Sequence, residues 1–159
     1  MRILGIDPGT GILGFGVIQL DPRGNAQLVD AGVIRTPVKE DDAVRLLTIY
    51  EELSDIIAAT KPLIMSVEKL FFSRNVTTAM TVAQARGVVL LCGMQAGMAI
   101  FEYTPMQIKQ AITGYGKADK KQMQEMVRLH LKLKETPKPD DCADAIAAAL
   151  THAQIARFA

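Results

Sequence analysis

Arg2-Ile3-Leu4-Gly5-Ile6-Asp7 is a short apolar run ending on a carboxylate, Pro8-Gly9-Thr10-Gly11 is a turn, and Ile12-Leu13-Gly14-Phe15-Gly16-Val17-Ile18 is a second apolar run. Each run has the length and composition of a buried strand, and so short a turn between them calls for an antiparallel hairpin. Asp21-Pro22-Arg23-Gly24-Asn25 is another strong turn signal, and residues 27–36 alternate loosely enough for a third antiparallel strand. A three-strand meander therefore opens the chain.

Further on the period changes. Leu46, Leu47, Tyr50, Leu53, Ile56 and Ile57 recur at helical spacing behind the acidic start Glu40-Asp41-Asp42, so residues 41–60 read as an amphipathic helix. After Pro62, residues 63–67 read as a fully buried strand ending at Glu68, and residues 75–98 as a long helix rich in Ala, Val, Leu and Met. Residues 99–103 form a fifth strand, Pro105 starts a short helix that runs to residue 113, and Gly114-Tyr115-Gly116 breaks it. A charged amphipathic helix covers 119–133, Thr136-Pro137-Lys138-Pro139 stops it, and an Ala-rich helix closes the chain over 140–158. The order βββαβαβααα predicts an α/β fold with a five-stranded mixed sheet, the two later strands added in parallel and helices on both faces. That order is similar to the ribonuclease H-like architecture, which is the fold expected.

The chain has 159 residues, 49% of them hydrophobic and 22% charged, with no internal repeat and no low-complexity segment. Residues 1–159 read as a single domain, and at this size no metal is needed merely to hold the fold together. The longest apolar stretch, residues 87–94, falls well short of the ~20 residues a membrane span requires. No membrane segment is expected, and without a secretory signal at residue 1 the expected compartment is the cytoplasm. Cys92 and Cys142 lack the spacing of a zinc site, so reduced thiols are expected. The net charge of +1 hides an asymmetry: residues 1–68 carry 6 basic against 10 acidic residues, 69–139 carry 11 against 4, and 140–159 carry 1 against 3. A basic middle between acidic ends suits a phosphate-binding surface beside a carboxylate cluster, or equally a solvated Lys-rich helical surface.

Asp7 and Glu68 each close an apolar strand, and Asp141 and Asp144 sit three residues apart at the start of the last helix. Strand ends and helix N-termini are places where an ionised carboxylate finds solvent, backbone N–H groups and a favourable dipole. Brought together, these four acids would make an oxygen-only cage suited to Mg²⁺ or Mn²⁺. Singly, each has an ordinary explanation as a turn residue, a solvated strand end or a helix cap. Asp140 competes with Asp141, because it shares a helix face with Asp144 at i+4 while Asp141 shares one at i+3.

Several stretches carry a family resemblance. These are residues 1–10, Ser66-Val67-Glu68-Lys69-Leu70-Phe71-Phe72, Gln84-Ala85-Arg86-Gly87, Tyr103-Thr104-Pro105-Met106-Gln107-Ile108-Lys109, the Gly-x-Gly-x-Ala-x-Lys segment from Gly114 to Lys120, and residues 141–152. In order and spacing they closely resemble the RuvC family of bacterial Holliday junction resolvases. The resemblance implies that Asp7, Glu68, Asp141 and Asp144 are catalytic acids holding two Mg²⁺ ions per site, with Mn²⁺ as substitute. It selects Asp141 over Asp140, because the family's D-x-x-D-A falls on Asp141 to Ala145. It places Lys109 and Lys120 near the active site and matches Phe71 to an aromatic that contacts DNA at the junction centre. Phe72 is a second ring beside it; for either, core packing competes with stacking on an unpaired base, which is worth ~1–3 kcal/mol. Arg74, Arg86, Lys117 and Lys121 are candidates for outer contacts with the DNA backbone, or plain solvated charge.

The activity implied is metal-dependent hydrolysis that leaves 5′-phosphate and 3′-hydroxyl ends, with paired symmetric nicks in four-way junction DNA during recombination and repair. Two symmetric incisions call for a homodimer, with the apolar helix over 79–98 as first candidate for the interface, although that helix also suits a monomer core. The resemblance further implies a branch-migration motor of the RuvA and RuvB type as partner. Two rivals are a YqgF-like RNA-processing nuclease, which shares the opening strand, and a nucleic-acid-binding module with a decayed site. The basic span 105–138 and the closing D-x-x-D-A favour the resolvase over the first, and the presence of all four acids favours it over the second.

Overall fold

The computed structural model describes residues 1–9, 11–70 and 76–156. The elements are β1 (Arg2–Asp7), β2 (Ile12–Leu20), β3 (Ala26–Arg35), α1 (Asp42–Thr60), β4 (Ile64–Glu68), α2 (Val76–Gln95), β5 (Ala99–Tyr103), α3 (Pro105–Thr113), α4 (Lys120–His130) and α5 (Asp140–Ile155). This is the expected order. The five strands lie in the sequence β3-β2-β1-β4-β5, with the first three antiparallel and β4 and β5 added in parallel beside β1.

Alternation along the strands sorts their side chains onto two faces. Leu4, Ile6, Leu13, Phe15, Val17, Met65 and Val67 face one way and pack with Ile49, Leu53 and Ile57 of α1 and Ala85, Val89 and Cys92 of α2. Ile3 and Ile18 face the other way, into a core shared with α5 and with Ile108, Ile112, Met123 and Val127 of α3 and α4. On that face α5 lies directly on β1 and β2, and α3 and α4 pack against α5. A Cβ added to Gly5 would fall 1.9 Å from the Ala145 carbonyl oxygen, and one on Gly16 would fall 2.5 Å from the Ile146 side chain. Only glycine lets helix and sheet approach this closely.

Two helices stop sooner than the apolar periodicity suggests. After α2 the chain enters the left-handed region at Gly97 (φ 71), with Met98 N–H bonded to Gly93 O and Gly97 N–H to Met94 O. After α4 the same pair of bonds recurs, Leu133 N–H to Arg128 O and Lys132 N–H to Leu129 O, with Lys132 at φ 54. Both are Schellman endings, the second without the usual glycine. By length and composition alone α2 could cross a membrane; it packs on the sheet side through Ala85, Val89, Cys92 and Gly93.

Candidate active site

Asp7 follows Ile3 and Gly5 on the α5 face of β1, and Glu68 follows Ile64 and Ser66 on the same face of β4. The two strands are parallel neighbours with Ile6 opposite Val67, so both carboxylates reach the same end of the sheet. β2 supplies no acid there. It supplies Gly14, opposite Asp7 in the hairpin register, and a Cβ on Gly14 would fall 2.0 Å from the carbonyl oxygen of Asp141. The first turn of α5 therefore rests over the Asp7–Gly14 pair. Further along, the buried Ser66 hydroxyl donates to Ala148 O at 2.6 Å and pins α5 to β4.

The carboxylates respond to one another. Burial, and after it the charges of Glu68, Asp144 and Asp141, push the Asp7 carboxyl up from 3.8 to about 8. Burial and Asp144 raise Glu68 to about 7, against the opposing pull of Lys109. Asp144 is raised as well, first by burial and then by Asp141 and Asp140, while Lys120 pulls it down. Negative charge is thus crowded beyond what the fold neutralises, in a setting where the charged form of an acid is costly.

The two expected lysines lie at the same place. Thr104 caps α3 in a reciprocal pair with Gln107, which fixes the turn carrying Lys109, and Asp119 caps α4 with Gln122, which fixes Lys120 as its first residue. A cleft of about 240 Å³ is lined by Glu68, Asp144, Lys109 and Lys120, with Pro105, Ile108, Met123 and Ala147 as its walls. The Lys120 ammonium is 3.7 Å from Asp144 Oδ2 and 3.2 Å from Asp140 Oδ2. Among the described residues, no three His, Cys, Asp or Glu side chains are gathered tightly enough to hold a metal ion as they stand.

Comparison with known proteins gives this arrangement a family. Residues 3–152 match the family described as crossover junction endodeoxyribonuclease RuvC. A protein of that name from Brevibacillus brevis is 55% identical over 159 residues, covering 99% of this chain and 95% of its own. The chain belongs to the RuvC family. The Thermus thermophilus RuvC structure is 39% identical with a TM-score of 0.92, and the same protein in complex with Holliday junction substrate gives 0.94; both cover 99% of this chain and 96% of theirs. The yeast mitochondrial Holliday junction resolvase Ydc2, 12% identical over 96% of this chain and 77% of its own, shares the fold at a TM-score of 0.70.

The outer DNA contacts expected from sequence fare differently. Lys117 and Lys121 are exposed, in the loop before α4 and in its first turn. Arg86 is half-buried and bound to Glu102 of β5, so its guanidinium ties α2 to the sheet edge. Phe71, Phe72 and Arg74 lie outside the described residues. What the sequence reading missed is the support around the acids: the glycines under α5, the Ser66 bond, and Asp140 as a partner of Lys120. Strand glycines at alternating positions, Gly14 and Gly16, were the available signal for the first.

Proposed function

We propose that this protein is a Holliday junction resolvase, a metal-dependent endonuclease that nicks opposite strands of four-way DNA junctions symmetrically in recombination and repair. The observation that carries the reading is the single cleft that joins Glu68, Asp144, Lys109 and Lys120, at the strand ends where Asp7 also sits. Asp7, Glu68, Asp141 and Asp144 offer only oxygen donors, the chemistry that Mg²⁺ or Mn²⁺ takes, and their mutual repulsion is the charge surplus that a dication relieves. Two such ions would activate the attacking water and stabilise the leaving 3′ oxygen.

The chain's own residues account for the rest. The carboxylates repel a phosphodiester, and Lys109 and Lys120 offset that charge at the rim and hold the scissile phosphate. Lys117 and Lys121, exposed nearby, extend the positive surface along the DNA backbone. Hydrolysis leaves 5′-phosphate and 3′-hydroxyl ends, which a ligase can rejoin.

Paired nicks require two sites related by a twofold axis. Val76, Met80, Ala83, Gly87, Leu91 and Met94 form an exposed stripe along α2 at spacings of three and four residues. That stripe is apolar and faces away from the buried residues of the same helix, and we assign it to the homodimer interface. It explains why α2 is apolar all round without invoking a membrane, and the protein is placed in the cytoplasm, with a RuvA and RuvB type of branch-migration motor as partner.

The test uses end-labelled four-way junction, linear duplex and structured RNA in competition, each with Mg²⁺ and with EDTA. Paired, metal-dependent nicks on opposite junction strands are expected. Cleavage of RNA with the junction intact would move the protein to RNA processing, and tight junction binding without any cut would make it a binding module.

A further inference from the structure

Lys120 is the first residue of α4, the end of a helix where a cation is disfavoured by the macrodipole. Its ammonium is nevertheless held over the cleft, between Asp144 and a carboxylate that belongs to no part of the four-acid set, Asp140. Asp140 is itself held at two points. Its Oδ2 faces Lys120 at 3.2 Å and its Oδ1 accepts from Gln124 Nε2 at 2.8 Å. Lys120 and Gln124 are one turn apart on α4, so a single face of that helix fixes both oxygens of one side chain at the start of α5.

The two carboxylates around Lys120 differ in what happens to them when the site works. Asp144 is partly buried in the cleft and belongs to the acids that gather a dication; Asp140 is exposed at its rim. Once the charge of Asp144 is neutralised, its attraction for Lys120 is gone, and among the described residues the carboxylate that remains in ion-pair contact with the ammonium is Asp140. We propose that Asp140 is a positioning residue that keeps Lys120 at the scissile phosphate, a role that rests on the reading of Lys120 given above.

The experiment is a double-mutant cycle on single-turnover cleavage of saturating junction at saturating Mg²⁺, with junction affinity measured separately in EDTA. Asp140→Asn is expected to lower the cleavage rate about fivefold, the upper range for an exposed ion pair. Affinity in EDTA stays the same or tightens, because a negative charge near the DNA has been removed. Asp140→Glu restores most of the rate, and Asp140→Asn has no further effect in a Lys120→Ala background. Independent, multiplicative losses in the double variant would overturn the proposal, and so would a shifted Mg²⁺ midpoint, which would make Asp140 a metal ligand. A wild-type rate for Asp140→Asn beside an impaired Lys120→Ala would overturn it alone. A wild-type rate for Lys120→Ala would remove the role of Lys120 and the proposal together.

Discussion

The two faces of the sheet are built on opposite terms. Toward α1 and α2 the strands present Leu, Ile, Val, Phe and Met, and long side chains separate strand backbone from helix backbone. Toward α5 they present Gly5, Gly14 and Gly16, and the helix answers with alanines from Ala143 to Ala149, so backbone meets backbone. The first arrangement stores stability in apolar burial. The second keeps an apolar core of its own, from Ile3 and Ile18 to Ile108, Ile112, Met123 and Val127, and adds a short, rigid distance between the strand ends and the first turn of a helix, where the charges of the acids are felt by one another. Both sides thus carry a buried core, but the acids lie on the α5 side alone, and substitutions on each side should separate an effect on stability from an effect on chemistry.

Asp7→Asn is the sharpest test and has the largest expected effect. Cleavage is abolished because a metal donor is lost, while junction binding in EDTA is retained at neutral pH, where the Asp7 carboxyl already holds its proton, and strengthens above about pH 8, where a repulsive charge is removed. In the metal-free protein the same change raises the melting temperature at neutral pH by several degrees. Burial and three neighbouring acids lift the Asp7 carboxyl from 3.8 to about 8, so between those values the folded chain keeps a proton that the unfolded chain has lost. Stability from this group is whole below 3.8 and is lost as pH rises through about 8. The advantage of Asn over Asp should therefore be absent near pH 4 and full above pH 8, as read by thermal melts in EDTA. A metal-free variant less stable than wild type at pH 8 would contradict the account of the crowded acids.

Gly14→Ala comes next. Its methyl would need the space of the Asp141 carbonyl, 2.0 Å away, and backbone atoms cannot rotate out of the way as a flexible side chain can. The N-terminal turn of α5 must shift, and a displacement of about 1 Å in a catalytic group costs roughly a hundredfold in rate. Junction affinity, which the proposed function assigns to Lys109, Lys117, Lys120 and Lys121, should change little. If cleavage instead fell only in step with global stability, the close contact would be a packing feature and nothing more.

The opposite face should behave in reverse. Leu53 of α1 is fully buried in the aliphatic core, and Leu53→Ala should destabilise by about 2–5 kcal/mol, the usual cost of such a cavity. Cleavage at a temperature where the variant remains folded should stay near wild type. A large rate loss in the folded variant would mean that the two faces are mechanically coupled.

The sequence made the aliphatic face easier to read than the glycine face, for a physical reason. Alternating apolar residues and helical spacing report burial, so the order of ten elements, the mixed sheet and the two-sided cover all followed from them. The four acids stood out as charges at element ends, while the resemblance alone pointed to Lys109 and Lys120 and chose Asp141 over Asp140. Close approach leaves a weaker mark: Gly14 and Gly16 look like breaks in a strand until the helix that lies on them is in place. Pairings across long separations leave none, which is why Arg86 reads as a candidate for DNA-backbone contact or plain solvated charge, and its pairing with Glu102 goes unseen. Helix ends were placed late for the same reason, since Lys132 does not advertise a left-handed turn.

The smallest expected effect tests the seam between the two regimes. Beyond the glycines, α5 reaches β5, where the Tyr103 hydroxyl meets His152 Nδ1 at 2.7 Å and the Phe101 ring lies 4.3 Å from the imidazole. Burial holds His152 below its ordinary 6.5, so above that pH the ring is neutral in both the folded and the unfolded chain, and its tautomer is free to suit the bond. Tyr103→Phe keeps the ring and removes the partner of a buried nitrogen, which costs about 1–3 kcal/mol. Urea melts above pH 6.5 should show a lower midpoint with an unchanged slope. Tyr103 sits beside Glu68 in the β4–β5 register, yet the lost bond points away from the cleft toward the far part of α5, and Ser66 still pins that helix to β4. Cleavage should fall less than threefold. A loss as deep as that of Gly14→Ala would mean that the acids depend on the whole length of α5 and not on its glycine-seated first turn.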